Sequence, residues 1–187
     1  MARPLVIGVA EGGIASLTAE IRDRLAGMDL VVAAPRFREL LPDGPETIDW
    51  PSPFSDIFNV LSDNPDKSVA LLTTGDPMWY GAGASLVREL GPDGCELVPA
   101  VSGLQHAAAR LGWPMAGCRV VSIHGRPVSG LVSALHPRAR LLVIAQDGGS
   151  PMAAAKLLAA RGYGAACMHV LAHLSLIHIS EPTRLDG

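Results

Sequence analysis

Short apolar runs recur along the chain, each broken by glycine or proline and followed by a stretch of helical period. Leu5–Val9, Leu30–Ala34 and the run that opens at Val69 are continuously apolar over their length. Such runs predict strands buried on both faces, because a strand with one wet face would alternate polar and apolar positions. Between them, Ile21 and Leu25 follow the candidate caps Ser16 and Thr18, with Glu20 in the first turn and Gly27 as the stop. Ser55 precedes a face of Ile57, Val60 and Leu61, and Gly83 opens a helical pattern that runs to Leu90. A short strand ends at Pro99, and Ser102 then holds an N-cap position before Leu104, Ala107, Ala108 and Leu111. Gly112 closes that helix, with Pro114 just beyond. Cys118–Ile123, the run from Leu141 and Ala166–Leu171 predict three more strands, and Pro151 enters a helix over Met152–Ala160. Strands alternating with helices predict an α/β protein with parallel or mixed sheets. The expected organisation is two units dividing near Pro114, residues 1–114 and 115–173. Pro35–Phe54, containing Pro42, Pro45, Pro51 and Pro53, predicts a connection of little periodicity.

Composition narrows the function classes. The 187 residues are 49% apolar and 18% charged, which suits a packed globular chain. A net charge of −3 gives no electrostatic case for nucleic acid. Cys95, Cys118 and Cys167 are an odd, widely spaced set and predict free thiols in a reducing, cytoplasmic setting. No apolar run approaches the roughly 18 residues of a membrane-spanning helix, and the first residues suit a strand rather than a signal peptide. His169 and His173 lack a metal-like partner set, so no metal site is expected.

The candidate chemistry lies where strands end. Val69–Leu72 runs into Thr73-Thr74-Gly75-Asp76-Pro77, then into Trp79, Tyr80 and Gly81. In open parallel sheets ligands sit beyond the carboxyl ends of strands. Gly75 permits close backbone approach, Pro77 fixes φ and turns Asp76 away from helical geometry, and the two aromatic rings supply a flat apolar wall. An ordinary strand-to-helix turn is the competing explanation. The Gly8–Gly13 segment lacks dinucleotide-loop spacing and fits a glycine-eased turn. Arg36, at the end of the second strand, suits a carboxylate partner or a solvated helix start. His124, beside Gly125 and Arg126, suits a proton shuttle, a substrate contact or a structural role. Asp147 suits a turn former.

Thr74-Gly75-Asp76-Pro77-x-x-Tyr80-Gly81 resembles the Gly-Asp-Pro signature of the tetrapyrrole methylase family. Val98-Pro-x-Val-Ser102, some twenty residues later, is how that family continues, and Ser122-x-His124-Gly-Arg126 is similar to its precorrin-6Y branch. Gly8-x-x-Glu11-x-Gly13 looks like that branch too, although Ala10 and Gly13 depart from the Gly and Asp expected there. The resemblance covers about Leu5 to His173. It implies a two-domain fold with a cofactor cleft between the domains, and S-adenosylmethionine-dependent methylation of a precorrin-6 type tetrapyrrole in cobalamin biosynthesis. It implies cofactor contacts from Thr74, Gly75, Asp76, Trp79, Ser102, Gly103, Ala145 and Gln146. It further implies substrate contacts from Arg36, Tyr80 and Arg126, and His124 as the catalytic candidate. A homodimer and a fused or separate carbon-15 methyltransferase/decarboxylase follow from the same likeness. Alternatives are another precorrin or uroporphyrinogen methylase, a non-catalytic nucleotide-binding module, and an inactive fragment. Leu174–Gly187 resembles a translated sequencing adapter, against the competing reading of a genuine last strand. The second domain is accordingly expected to be cut short.

Overall fold

The computed structural model describes residues 3–10, 12–38, 40–41 and 43–172. Glu11 and the tail from Leu174, both singled out above, lie outside the described residues. The chain divides into two compact units at Gly103–Leu104, a helix earlier than the expected boundary at 114. The helix in question packs its buried Leu104, Ala107 and Ala108 with Leu142 of the second unit.

The first unit is a five-stranded, wholly parallel sheet of order β3-β2-β4-β1-β5. Its strands are β1 (Leu5–Val9), β2 (Leu30–Val32), β3 (Glu46–Ile48), β4 (Val69–Thr74) and β5 (Glu96–Val98). The apolar runs form strands because both sheet faces are covered. Alternate residues Leu5, Ile7, Val9, Val31, Ala70 and Leu72 pack with Leu25 and Phe37 on one side. Val6, Leu30, Val32, Val69 and Leu71 pack with Ile57, Leu61 and Leu86 on the other. The period-two alternation therefore distributes one apolar run between two cores. The covering helices are α1 (Ala19–Ala26), α2 (Pro35–Arg38), α3 (Ile57–Asp63) and α4 (Ala82–Leu90). Of the two candidate caps, Thr18 serves: its hydroxyl accepts the Ile21 N–H at 3.3 Å. Ser16 instead donates to the Gly13 carbonyl at 2.6 Å.

The stretch 35–54 is more ordered than its prolines suggest, holding α2 and β3. β3 is three residues long and pairs along one side with β2, so its burial is partial and its sequence carries no apolar run.

The second unit pairs β6 (Arg119–Ser122) with β7 (Leu141–Ile144), again in parallel. α5 (Gly103–Leu111) packs with Val120, Leu142 and Ile144. α6 (Ser150–Ala160) and the 3-10 segment Val128–Ala134 pack with Val121 and Ile123. The expected strand at Ala166–Leu171 does not form: these residues carry no strand assignment, and most are exposed. An apolar run becomes a strand only with a neighbour to complete its ladder, and the backbone bond seen there is a turn, Ala166 N–H to the Tyr163 carbonyl at 3.0 Å. No helix of the described residues is long and apolar enough to cross a membrane.

Candidate functional site

Three loops leave the carboxyl ends of β1, β4 and β5, adjacent strands of the first sheet. The β4 loop is anchored to β1 by the Gly75 N–H, which donates to the Val9 carbonyl at 2.8 Å. Gly75 has φ +67°, a left-handed conformation that glycine adopts without penalty. A Cβ there would lie 3.4 Å from Cα and Cβ of Ser102, so the β4 loop rests against the β5 exit. Gly8 plays an unforeseen part. A Cβ on it would meet the Gly75 carbonyl at 2.5 Å, the Ala100 nitrogen at 2.9 Å and Pro77 Cδ at 2.9 Å. The loops after β4 and β5 thus converge on a position within β1 where no side chain fits.

Pro77 is the second centre, and it is buried. Cβ atoms on Gly81 and Gly83 would approach its carbonyl oxygen to 2.7 and 2.8 Å. The start of α4 is therefore folded back on Pro77, and the glycine spacing around that proline was the available signal for it. Asp76 shapes this loop. Its Oδ1 accepts the Met78 N–H at 2.8 Å, and its carbonyl accepts the Trp79 N–H at 3.2 Å. The turn projects Met78, Trp79 and Tyr80 outward, at 46%, 45% and 48% exposure. Three adjacent large apolar side chains left in water are informative in a way that a lone one is not. Tyr80 also has φ 57°, which costs a non-glycine residue roughly 1–2 kcal/mol.

Arg36, on α2, reaches the end of β4, where its guanidinium donates to the Thr74 hydroxyl. It also lies over the Phe37 ring, 4.8 Å from the centroid. Thr74, Gly75, Asp76, Ser102 and Arg36 are thus gathered at one edge of the first unit, with Trp79 and Tyr80 on the same loop and exposed Gly103 following Ser102.

The remaining expected residues lie in the second unit, at the exits of β6 and β7. His124 and Arg126 are exposed, as are Ala145 and Gln146. Gln146 joins the two exits, because its Oε1 accepts the Gly125 N–H at 3.2 Å. Its own N–H is taken by the Ser150 hydroxyl at 3.2 Å, which leaves its carbonyl as the backbone group to offer a ligand. Asp147 is a turn former: its Oδ1 accepts the N–H groups of Gly149 and Ser150, each at 3.0 Å, and the Ser150 hydroxyl at 3.1 Å. These bonds, the Ser150 hydroxyl first, hold its carboxyl below the usual aspartate range. The His124 imidazole makes no hydrogen bond among the described residues, so its ring nitrogens are open to a substrate group. Among those residues no group of three His, Cys, Asp or Glu side chains is gathered that could hold a metal ion.

The family described as Tetrapyrrole (Corrin/Porphyrin) Methylases matches residues 5–176. This chain belongs to the tetrapyrrole methylase family. Tetrapyrrole methylases use S-adenosylmethionine. The chain is 35% identical over 169 residues to a precorrin-6Y C(5,15)-methyltransferase [decarboxylating] of Sinorhizobium sp. That match takes in 89% of this chain and 41% of the relative, so the chain spans less than half the relative's length. It is 27% identical to a cobalt-precorrin-7 C(5)-methyltransferase of Salmonella typhimurium, over 91% of this chain and 85% of that protein. Among solved structures it resembles the precorrin-6Y methylase of Archaeoglobus fulgidus, with a TM-score of 0.54 and 26% identity. That likeness covers 75% of this chain and 73% of the other.

Proposed function

We propose that this methylase chain is the carbon-5 module of a precorrin-6Y methyltransferase, transferring a methyl group from S-adenosylmethionine to a precorrin-6 type tetrapyrrole. One observation carries the site: the Gly-Asp-Pro loop is locked by backbone contact between two other strand exits, with exposed aromatic side chains beside it. The relatives supply the substrate class. One is named for carbons 5 and 15 and is matched over 41% of its length, while the other is named for carbon 5 and is matched over 85%. A single carbon-5 module accounts for both shares. The same reading carries a homodimer, a cytoplasmic location and a carbon-15 methylating partner, fused or separate.

The residues present fit the cofactor. Gly75 carries no side chain where its turn faces Ser102, Gly103 is exposed at the start of α5, and Trp79 offers an apolar ring. When bound, S-adenosylmethionine supplies a methyl group on a sulfonium that carries its own leaving group. The protein's task is then alignment and exclusion of water rather than covalent catalysis. Thr74, Gly75 and Ser102 fix the donor's position, with Asp76 holding the loop in shape. Gly103 adds a backbone contact to the donor. Trp79 shields it, and Tyr80 covers the ring of the acceptor. Arg36 and Arg126 meet carboxylates of the tetrapyrrole. His124 accepts the proton that the methylated carbon framework gives up.

Calorimetric titration of the purified chain with S-adenosylhomocysteine tests the site. Binding should be measurable, and Gly75→Val should abolish it, because a branched side chain at φ +67° would strain the turn and intrude on Ser102. Equal affinity in both proteins would refute the assignment.

A further inference from the structure

The whole-chain charge of −3 conceals a division. Residues 1–103 carry fifteen Asp/Glu and seven Lys/Arg, a formal −8, whereas residues 104–172 carry seven Lys/Arg and one acid, a formal +6. That one acid is Asp147, and its Oδ1 is taken up by its own turn. The ion pairs Arg24–Glu96, Arg38–Asp49 and Lys67–Glu46 all join residues of the first unit. In the second unit all seven Lys/Arg are exposed. Arg119, Arg138, Lys156 and Arg161 make no side-chain hydrogen bond or ion pair among the described residues. They are also dispersed: Arg119 opens β6, Arg138 lies in the turn before β7, Lys156 is on α6 and Arg161 follows it. Dispersed, unneutralised cations do not make a pocket. They make a field, which extends about 8–10 Å into solvent at 0.1–0.15 M salt.

We propose that residues 104–172 form a cationic collecting surface that draws a polycarboxylate tetrapyrrole to this chain before the site engages it. The inference rests on the substrate class given above. A surface field of one sign speeds encounter with an oppositely charged ligand and fades with added salt, the gain reaching one to three powers of ten where a cleft focuses it. Arg126, at the carboxyl edge, is the cation of this unit nearest in sequence to His124. A polyanion held by the surrounding field is thereby brought towards the groups that handle it.

The experiment compares two charge-reversed proteins with the same change in net charge. Arg119→Glu/Lys156→Glu alters the second unit, and Arg22→Glu/Arg88→Glu alters exposed positions of the first. Stopped-flow quenching of tryptophan fluorescence by uroporphyrin, a polycarboxylate porphyrin, reads the association rate without needing methyl transfer. At low ionic strength the second-unit variant should associate about tenfold more slowly than the parent, and the first-unit variant should change far less. All three should converge in high salt, with kcat and melting temperature unchanged by Arg119→Glu/Lys156→Glu. Equal slowing by the two variants, or a rate insensitive to salt, would overturn the proposal. A lowered melting temperature with an unchanged rate would overturn it too, assigning the cations to stability. Salt-sensitive capture of duplex DNA with no response to uroporphyrin would contradict it in favour of a nucleic-acid surface. A chain that captures uroporphyrin as described but fails to bind S-adenosylhomocysteine would support the collecting surface and refute the methyltransferase reading separately.

Discussion

Replacing Gly8 by alanine should unlock the site from the inside. The added methyl would sit 2.5 Å from the Gly75 carbonyl oxygen and 2.9 Å from both the Ala100 nitrogen and Pro77 Cδ. Two of those atoms are backbone and the third belongs to a ring, so no side chain can rotate away. Relief requires the β4 and β5 loops to draw away from β1 by a few tenths of an ångström or more, at the expense of the Gly75 N–H bond to Val9. Overpacking costs about 1–3 kcal/mol, and the lack of any flexible neighbour places Gly8→Ala near 3 kcal/mol. In a domain of 150–250 residues each kcal/mol lowers Tm by about 2–4 °C, so a fall of roughly 6–12 °C is expected. Gly12→Ala is the internal control, since its methyl would meet nothing nearer than Ser16 Cβ at 3.5 Å, and it should stay within about 0.5 kcal/mol of the parent. Urea unfolding followed by circular dichroism measures both, and S-adenosylhomocysteine titration reports the site. If Gly8→Ala is as stable as Gly12→Ala and binds the ligand equally well, the convergence of loops on Gly8 is not what organises this edge.

Other consequences are more local. Asp29 accepts the Ser68 hydroxyl and N–H at 2.7 and 2.8 Å, and these bonds, the hydroxyl first, lower its pKa. A depressed folded pKa stabilises above the unfolded value of about 3.9 and is lost as pH falls through the folded one. The denaturation midpoint of Asp29→Asn should therefore trail the parent at pH 7 and converge with it in acid. Arg24 and Glu96 form a two-bond pair at 2.7 and 2.8 Å between partly exposed side chains. A double-mutant cycle should return about 0.5 kcal/mol, diminishing with salt. Gln146→Ala removes the bond to the Gly125 N–H. Amide exchange should accelerate at Gly125 and stay unchanged at Ile123, whose N–H is held by the Ile144 carbonyl at 2.9 Å.

What could be read from the sequence was whatever burial writes into it. β1, β2 and β4 are covered on both faces, so Leu5–Val9, Leu30–Val32 and Val69–Leu72 are uninterrupted apolar runs. Thr18, Gly27 and Pro151 mark helix ends, the first through its hydroxyl and the other two through their backbone preferences. β3 is an edge strand of three residues whose Glu46 is exposed, so it leaves no such trace among its flanking prolines. The opposite error at Ala166–Leu171 has the same root: strand composition reports preference, and pairing decides. At this edge of the sheet, Gly75 and Ser102 stood out in the sequence as a turn glycine and a helix-start serine, but the contact between them and the crowding at Gly8 did not, because these constraints join residues remote in sequence. The charge division escaped because a whole-chain sum of −3 averages an acidic first unit against a basic second one.

Methyl transfer is the most direct test of the central claim. The purified chain would be incubated with S-adenosylmethionine carrying a carbon-13 methyl group and with a precorrin-6 type tetrapyrrole, and the product examined by NMR. One labelled methyl at carbon 5, lost in the Gly75→Val protein, is the expected result. A chain that binds both compounds yet leaves carbon 5 unlabelled would contradict the account.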